Sequence, residues 1–226
     1  LKSQNPTTVP QRWILDKMNS HLQTLSGTIR AVLDIKDAVR EEALRQSREL
    51  IRLSATTVRS IHRHEFENAQ QGLQEAAQRA AEIIALRESH PDIYYAGYAQ
   101  DALKEYAEAS LLLALVQGQP LPSFTELNIE VPAYLNALCE AASECRRHIL
   151  DLLRNGDTAR AEQLLADMDD IYYLLVTFDY PDALTGGLRR SVDTLRAVLE
   201  RTRGDVTITA IQRELEEALR RDSQQS

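Results

Sequence analysis

The sequence predicts an all-α protein, and three observations carry that prediction. Only 8 Gly and 7 Pro interrupt 226 residues, too few breakers for a many-turned β protein or a disordered chain. They fall at wide intervals, and between them apolar residues recur at three and four spacing rather than in alternation. Hydrophobic residues at 43% with charged residues at 27% give enough material for a packed core without a metal or disulfide staple. A single-domain bundle of about seven helices over residues 1–226 is expected, because no fixed-period repeat and no Gly-, Ser- or Pro-rich linker divides the chain.

The elements follow in order. One or two helices are expected from Pro10 to His64, with Gly27 the weak point. Another runs from about Glu65 to Glu88 and ends at His90-Pro91, since a residue before proline is pushed out of the α region. A third spans about Asp92 to Val116 and stops at Gly118 and Pro120. Ser123 and Glu126 have capping-box spacing for a short helix. The next helix, from about Val131 to Arg154, closes at Asn155-Gly156, and Asp157 caps its successor, which runs to about Val176. Pro181 and Gly186-Gly187 precede a helix from about Leu188 to Arg203, ended by Gly204. Thr209 and Gln212 then cap a final amphipathic helix to about Arg221.

Charge and cysteine content narrow the function classes. With 26 Lys+Arg against 34 Asp+Glu, the net charge is −8, which argues against a generally basic nucleic-acid coat, so any phosphate binding must be local. Cys139 and Cys145 lie about 120° apart on one predicted helix, lack zinc-ligand spacing and cannot bridge each other. Two half-buried thiols in a reducing cytoplasm are expected. The start, Leu1 to Trp13, is polar with two prolines, so no export signal is expected there. Leu111 to Val116 falls far short of the roughly 20 apolar residues that span a bilayer.

Two constellations can carry chemistry. The segment from Tyr94 to Val116 is apolar nearly all round, with Leu103, Tyr106, Ala107, Leu111, Leu112 and Leu115 pointing in many directions. On it, Asp101, Glu105 and Glu108 share a roughly 60° stripe. The helix from Val131 repeats the pattern with Asn136, Glu140, Glu144 and Asp151. If the two edges face each other, carboxylates about 4 Å apart repel by roughly 4 kcal/mol per pair at an effective dielectric of 20. Protonation, a neighbouring cation such as Arg147, or a bound metal must offset that, and all-oxygen ligation suits Mg²⁺ or Mn²⁺ rather than zinc. Solvated acidic helix faces of this kind are also common without a metal.

The second constellation is basic. Arg45, Arg48, Arg52, Arg59 and Arg63 lie within a roughly 60° arc, opposite Val39, Ala43, Leu50, Leu53 and Ile61, and His62 and His64 extend the patch. Arg suits bidentate phosphate contacts, while a solvated face or a subunit contact is the plainer alternative. Tyr94, Tyr95 and Tyr98 are candidates for base stacking or core packing, and His21, His90 and His148 for surface or capping positions.

Several stretches then resemble one family. These are Arg59–Ala69 (RSIHRHEFENA), Lys104–Ala109 (KEYAEA), Val131–Leu138 (VPAYLNAL) with Ser143–Arg147 (SECRR), Phe178–Leu184 (FDYPDAL) running into Gly187–Arg196 (GLRRSVDTLR), and Arg201–Asp205 (RTRGD). In order and spacing they resemble the translin family, in particular its catalytic branch and the related prokaryotic proteins. The resemblance implies a seven-helix α bundle whose subunits assemble into closed, usually octameric shells that bind single-stranded RNA or DNA. It implies metal-dependent endoribonuclease activity, with the family acids falling on Glu105, Glu108, Glu140 and Glu144. Glu140 stands where the family usually has Asp, one methylene shorter. The basic triplet of the non-catalytic subunit is absent after Tyr94-Tyr95, where Ala96, Gly97, Tyr98, Ala99 and Gln100 stand.

The leading expectation is therefore a cytoplasmic, homo-oligomeric endoribonuclease. Glu105, Glu108 and Glu140 would be catalytic, and with Glu144 they would hold Mg²⁺ or Mn²⁺, while Arg45, Arg48, Arg52, Arg59 and Arg63 hold single-stranded RNA, or single-stranded DNA. The alternatives are a non-catalytic nucleic-acid-binding shell and a helical interaction protein with no nucleic-acid role.

Overall fold

The computed structural model describes residues 11–225, all of whose regular elements are helices. The polar stretch Leu1–Pro10, including the expected helix start at Pro10, lies outside the described residues. The chain divides into two units, residues 1–43 and 44–226.

In the first unit the described residues are helical, as the early part of α1 (Gln11–His62). Gly27 does not break it, because a glycine costs a helix about 1 kcal/mol relative to Ala without ending it. Met18, Leu22, Leu25, Ile29 and Val32 are all exposed. Their four-three spacing is that of a coiled-coil seam.

In the second unit, the remainder of α1 buries Ser47, Leu50, Ser54, Thr57 and Ile61 along one face. His64, in the left-handed region at φ 60°, reverses the chain into α2 (Phe66–Ile84). The helices expected as single rods at Glu65–Glu88 and Asp92–Val116 are each divided: the short turns α3 (Leu86–Ser89) and α4 (Pro91–Tyr94) precede α5 (Gly97–Gln117). Ser123 and Glu126 form the reciprocal capping box, Glu126 N–H donating to Ser123 Oγ at 3.2 Å and Ser123 N–H to Glu126 Oε2 at 2.7 Å. Only a turn follows, so the expected short helix is absent.

Then come α6 (Val131–Asn155), α7 (Thr158–Leu175), α8 (Asp182–Thr185) and α9 (Leu188–Gln225). The Asp157 cap forms, its Oδ1 accepting from Arg160 N–H at 3.1 Å. The stop expected at Gly204 does not occur: α9 runs through it, and Thr209 Oγ1 donates back to the Asp205 carbonyl at 2.9 Å instead of capping a new helix. By contrast Gly118, at φ +66°, does end α5. Arg160 donates to the freed carbonyls of Leu115 and Val116 at 2.8 and 3.2 Å.

The core sits around α5, which buries Leu103, Ala107, Leu111, Leu112 and Leu115 among others. Helix α6 packs along α5, α7 and α9. That pairing lays the acidic edge of α5 beside the acidic edge of α6.

One close crossing invites a test. A Cβ at Gly72 on α2 would lie 2.5 Å from Thr57 Oγ1 on α1, and that hydroxyl is buried without a hydrogen-bond partner. Gly72→Ala is expected to cost about 1–3 kcal/mol in urea denaturation, the overpacking outweighing alanine's better helix propensity. Thr57→Ala removes the clashing oxygen and should restore most of the loss.

Candidate metal centre

Glu105 and Glu108 stand three apart on α5 and so share its face, and α6 brings Glu140 to the same point. One carboxylate oxygen from each lies within 4.8 Å of the others. The acidic faces read from helical spacing do meet.

The counter-charge comes from a residue the spacing did not single out. Lys104 Nζ bonds the Glu140 carboxylate and lies 3.3 Å from Glu105 Oε1, a role the sequence reading offered to Arg147. Lys104 and Glu108 are four apart, so the helical spacing that collected the acids would also have placed the ammonium at their edge. One lysine does not neutralise three acids. Burial first, then the charges of Glu105, Glu140 and Glu144, push the Glu108 carboxyl up to about 8. At neutral pH Glu108 therefore holds a proton.

Glu144 stands apart from this trio. It is paired with His62 Nε2 at 2.8 Å, and that hydrogen bond holds its carboxyl below the usual range. Hence His62 does not extend the arginine patch: it is buried against α6. His148 is likewise not at the surface. Burial, with the His64 ring tilted against it at 5.0 Å, lowers it to about 4, so it stays neutral at physiological pH. Cys139 and Cys145 are fully buried rather than half-buried. Burial pushes the Cys139 thiol up to about 12 and raises Cys145 as well, leaving neither as a nucleophile.

Two clefts flank the trio. One of about 310 Å³ is lined by Glu108, Glu140 and Glu144 with the hydroxyls of Ser143, Ser191 and Thr194. A larger one of about 590 Å³ includes Glu140, Lys104, Asp101 and Tyr95. Glu140 and Ser191 line both. The spacing of acids on α5 and α6 could not reveal the Ser191 and Thr194 hydroxyls, since these come from α9, while Ser143 is on α6 itself.

Arg45, Arg48, Arg52 and Arg59 form a row on the exposed face of α1 and Arg63 is exposed in the turn just after it, all outside the trio. Arg45 bonds Glu49 at 3.4 Å and Arg59 bonds Thr56 Oγ1 at 2.8 Å. Of the three tyrosines, Tyr94 is wholly buried, its hydroxyl accepting from Arg87 at 2.7 Å and donating to Glu130 at 3.1 Å, and Tyr98 packs on the core. Tyr95 is 56% exposed.

The Glu108 proton has a thermodynamic consequence. The folded, metal-free protein binds it at a pH where the unfolded chain has released it, so stability falls as pH rises from about 4.5 to about 8. Glu108→Gln should match the parent at pH 4.5 in EDTA and become progressively more stable than it up to pH 8, measured as the urea midpoint against pH. Parallel curves would contradict this electrostatic picture.

Fold and site together define an all-α protein that presents carboxylates from two packed helices to one point. No family model matches the chain. An uncharacterised protein of Methanocaldococcus jannaschii is 34% identical over 189 residues, covering 82% of this chain and 83% of the relative. Among solved structures, AfC3PO in complex with duplex RNA is 32% identical with a TM-score of 0.73, over 88% of this chain and 97% of that one. AfC3PO alone gives the same identity and TM-score over 88% and 98%. Apo-NeC3PO, at 21% identity and a TM-score of 0.69 over 90% and 99%, supports the fold. The chain belongs to the translin family, as a C3PO-like member.

Proposed function

We propose that the protein is a divalent-metal-dependent endoribonuclease acting on single-stranded RNA, with Glu105, Glu108 and Glu140 holding Mg²⁺ or Mn²⁺. The observation that carries this reading is the convergence of those three carboxylates from two helices, under-neutralised by Lys104 alone. Their donors are all carboxylate oxygens, which fit a hard divalent cation and not zinc. When bound, such a cation supplies Lewis-acid stabilisation of a scissile phosphate and lowers the pKa of water. To help hold such a cation, Glu108 would have to give up its proton. Glu144, kept ionised by His62 and lining the cleft beside Glu108 and Glu140, would accept a proton from a water within its hydrogen-bond reach. The row Arg45, Arg48, Arg52, Arg59 and Arg63 holds the strand through its phosphates.

AfC3PO was captured with duplex RNA, which supports RNA as the ligand class here; single-stranded DNA as a further ligand rests on the family resemblance alone. The exposed seam on α1 and the exposed Ile208, Ile211, Leu215 and Leu219 on α9 support a homo-oligomer, an octamer by family resemblance. A second reading, a non-catalytic RNA-binding shell, is favoured by Lys104, whose ammonium pairs with both Glu105 and Glu140. End-labelled single-stranded RNA separates the two. Cleavage with Mg²⁺ or Mn²⁺ and none in EDTA is expected, whereas salt-sensitive binding without turnover in either condition would select the second reading.

A further inference from the structure

Resting on the RNA reading above, we propose that the larger cleft is a nucleobase subsite, with Tyr95 as its stacking platform, for an unpaired base carrying an exocyclic amino group. The cleft, about 590 Å³, opens against the trio through Glu140, which belongs to both, and through Lys104, which pairs with Glu105 and Glu140. Tyr95 is the exposed aromatic of its lining, and its ring is braced edge-on by the buried Tyr94 ring at 4.8 Å and 76°. Tyr94 is itself fixed by Arg87 and Glu130. A base stacking on Tyr95 thus meets a ring that is already oriented.

The polar lining selects what that base must offer. Its donors are largely spent: Asn136 Nδ2 donates to the Pro132 and Thr185 carbonyls, Gln100 Nε2 donates to the Tyr94 carbonyl, and Lys104 is engaged by Glu105 and Glu140. Asn136 Oδ1 already accepts from Ser191 at 2.7 Å. What stays available is acceptor capacity, in the Gln100 carbonyl oxygen and in Asp101, whose carboxylate makes no hydrogen bond or ion pair among the described residues. Two acceptors suit the two hydrogens of an exocyclic amino group, which cytosine, adenine and guanine carry, whereas uracil offers a single N3–H flanked by two carbonyl oxygens that these acceptors repel. The same carboxylates repel phosphate, so the base enters this cleft and the backbone does not.

The test needs neither metal nor turnover. Twelve-residue oligo(C), oligo(U) and an oligo(C) with one 2-aminopurine are titrated in EDTA against parent, Tyr95→Ala, Tyr95→Phe and Asp101→Ala proteins. The proposal expects 2-aminopurine quenching, oligo(C) bound at least about fivefold tighter than oligo(U), and that preference lost in Asp101→Ala. It expects Tyr95→Ala to weaken oligo(C) by about tenfold or more, with Tyr95→Phe within twofold of the parent. Unchanged affinity in Tyr95→Ala, or equal loss in Tyr95→Phe, overturns the stacking platform while the RNA reading stands. Oligo(U) bound as tightly as oligo(C) by the parent overturns the amino-group selection. Failure of the parent to bind either oligonucleotide overturns both this inference and the reading beneath it.

Discussion

Glu108→Gln is expected to lower Mg²⁺-dependent cleavage of single-stranded RNA by at least about a hundredfold while leaving RNA affinity in EDTA within about threefold. Gln keeps the length and the hydrogen-bonding ends of the protonated acid that occupies the metal-free site, so the fold has no reason to respond adversely. What it loses is the ability to become anionic when a cation arrives. Glu105→Ala should act in the same direction, with Lys104 still held by Glu140. Rates in saturating RNA, with Mg²⁺ varied, separate loss of metal affinity from loss of turnover. Either variant cleaving as fast as the parent would remove the trio from the reaction.

The second large effect is expected at the other constellation. Arg52→Glu with Arg59→Glu should weaken binding of single-stranded RNA by about a hundredfold or more at low salt. The slope of log affinity against log salt should fall by about 1.4, the share of two phosphate contacts on a single strand. Both side chains are on the exposed face of α1, opposite Leu50, Ser54, Thr57 and Ile61, so far-ultraviolet circular dichroism should be unchanged. Binding and salt slope equal to the parent's would make the row a solvated or subunit-facing surface, as the amphipathic pattern alone allows.

The helices were legible where apolar periodicity and stop signals agree, as at Gly118 and at Asn155-Gly156 with the Asp157 cap. They were misread where a residue signals a stop only through its conformation. Gly27 and Gly204 are helical residues within longer rods, whereas Gly118 and Gly156 have positive φ, and the letter alone does not distinguish them. Among the site residues, Glu105, Glu108 and Glu140 were legible because one helix face repeats every three or four residues, and their meeting followed from α5 packing on α6. Glu144 was drawn with them by the same periodicity. Its partner His62 comes from α1, 82 positions away, a long-range contact that spacing does not record. His148 was misplaced for a related reason: the packing that buries it beside His64 comes from the turn after α1.

A crystal of the protein soaked in Mn²⁺ and measured at the manganese edge tests the central claim most directly. An anomalous peak coordinated by Glu105, Glu108 and Glu140, with the Lys104 ammonium displaced from Glu140, is the expected result. A fully soaked crystal with no peak there, and Lys104 still bound to Glu140, would contradict it.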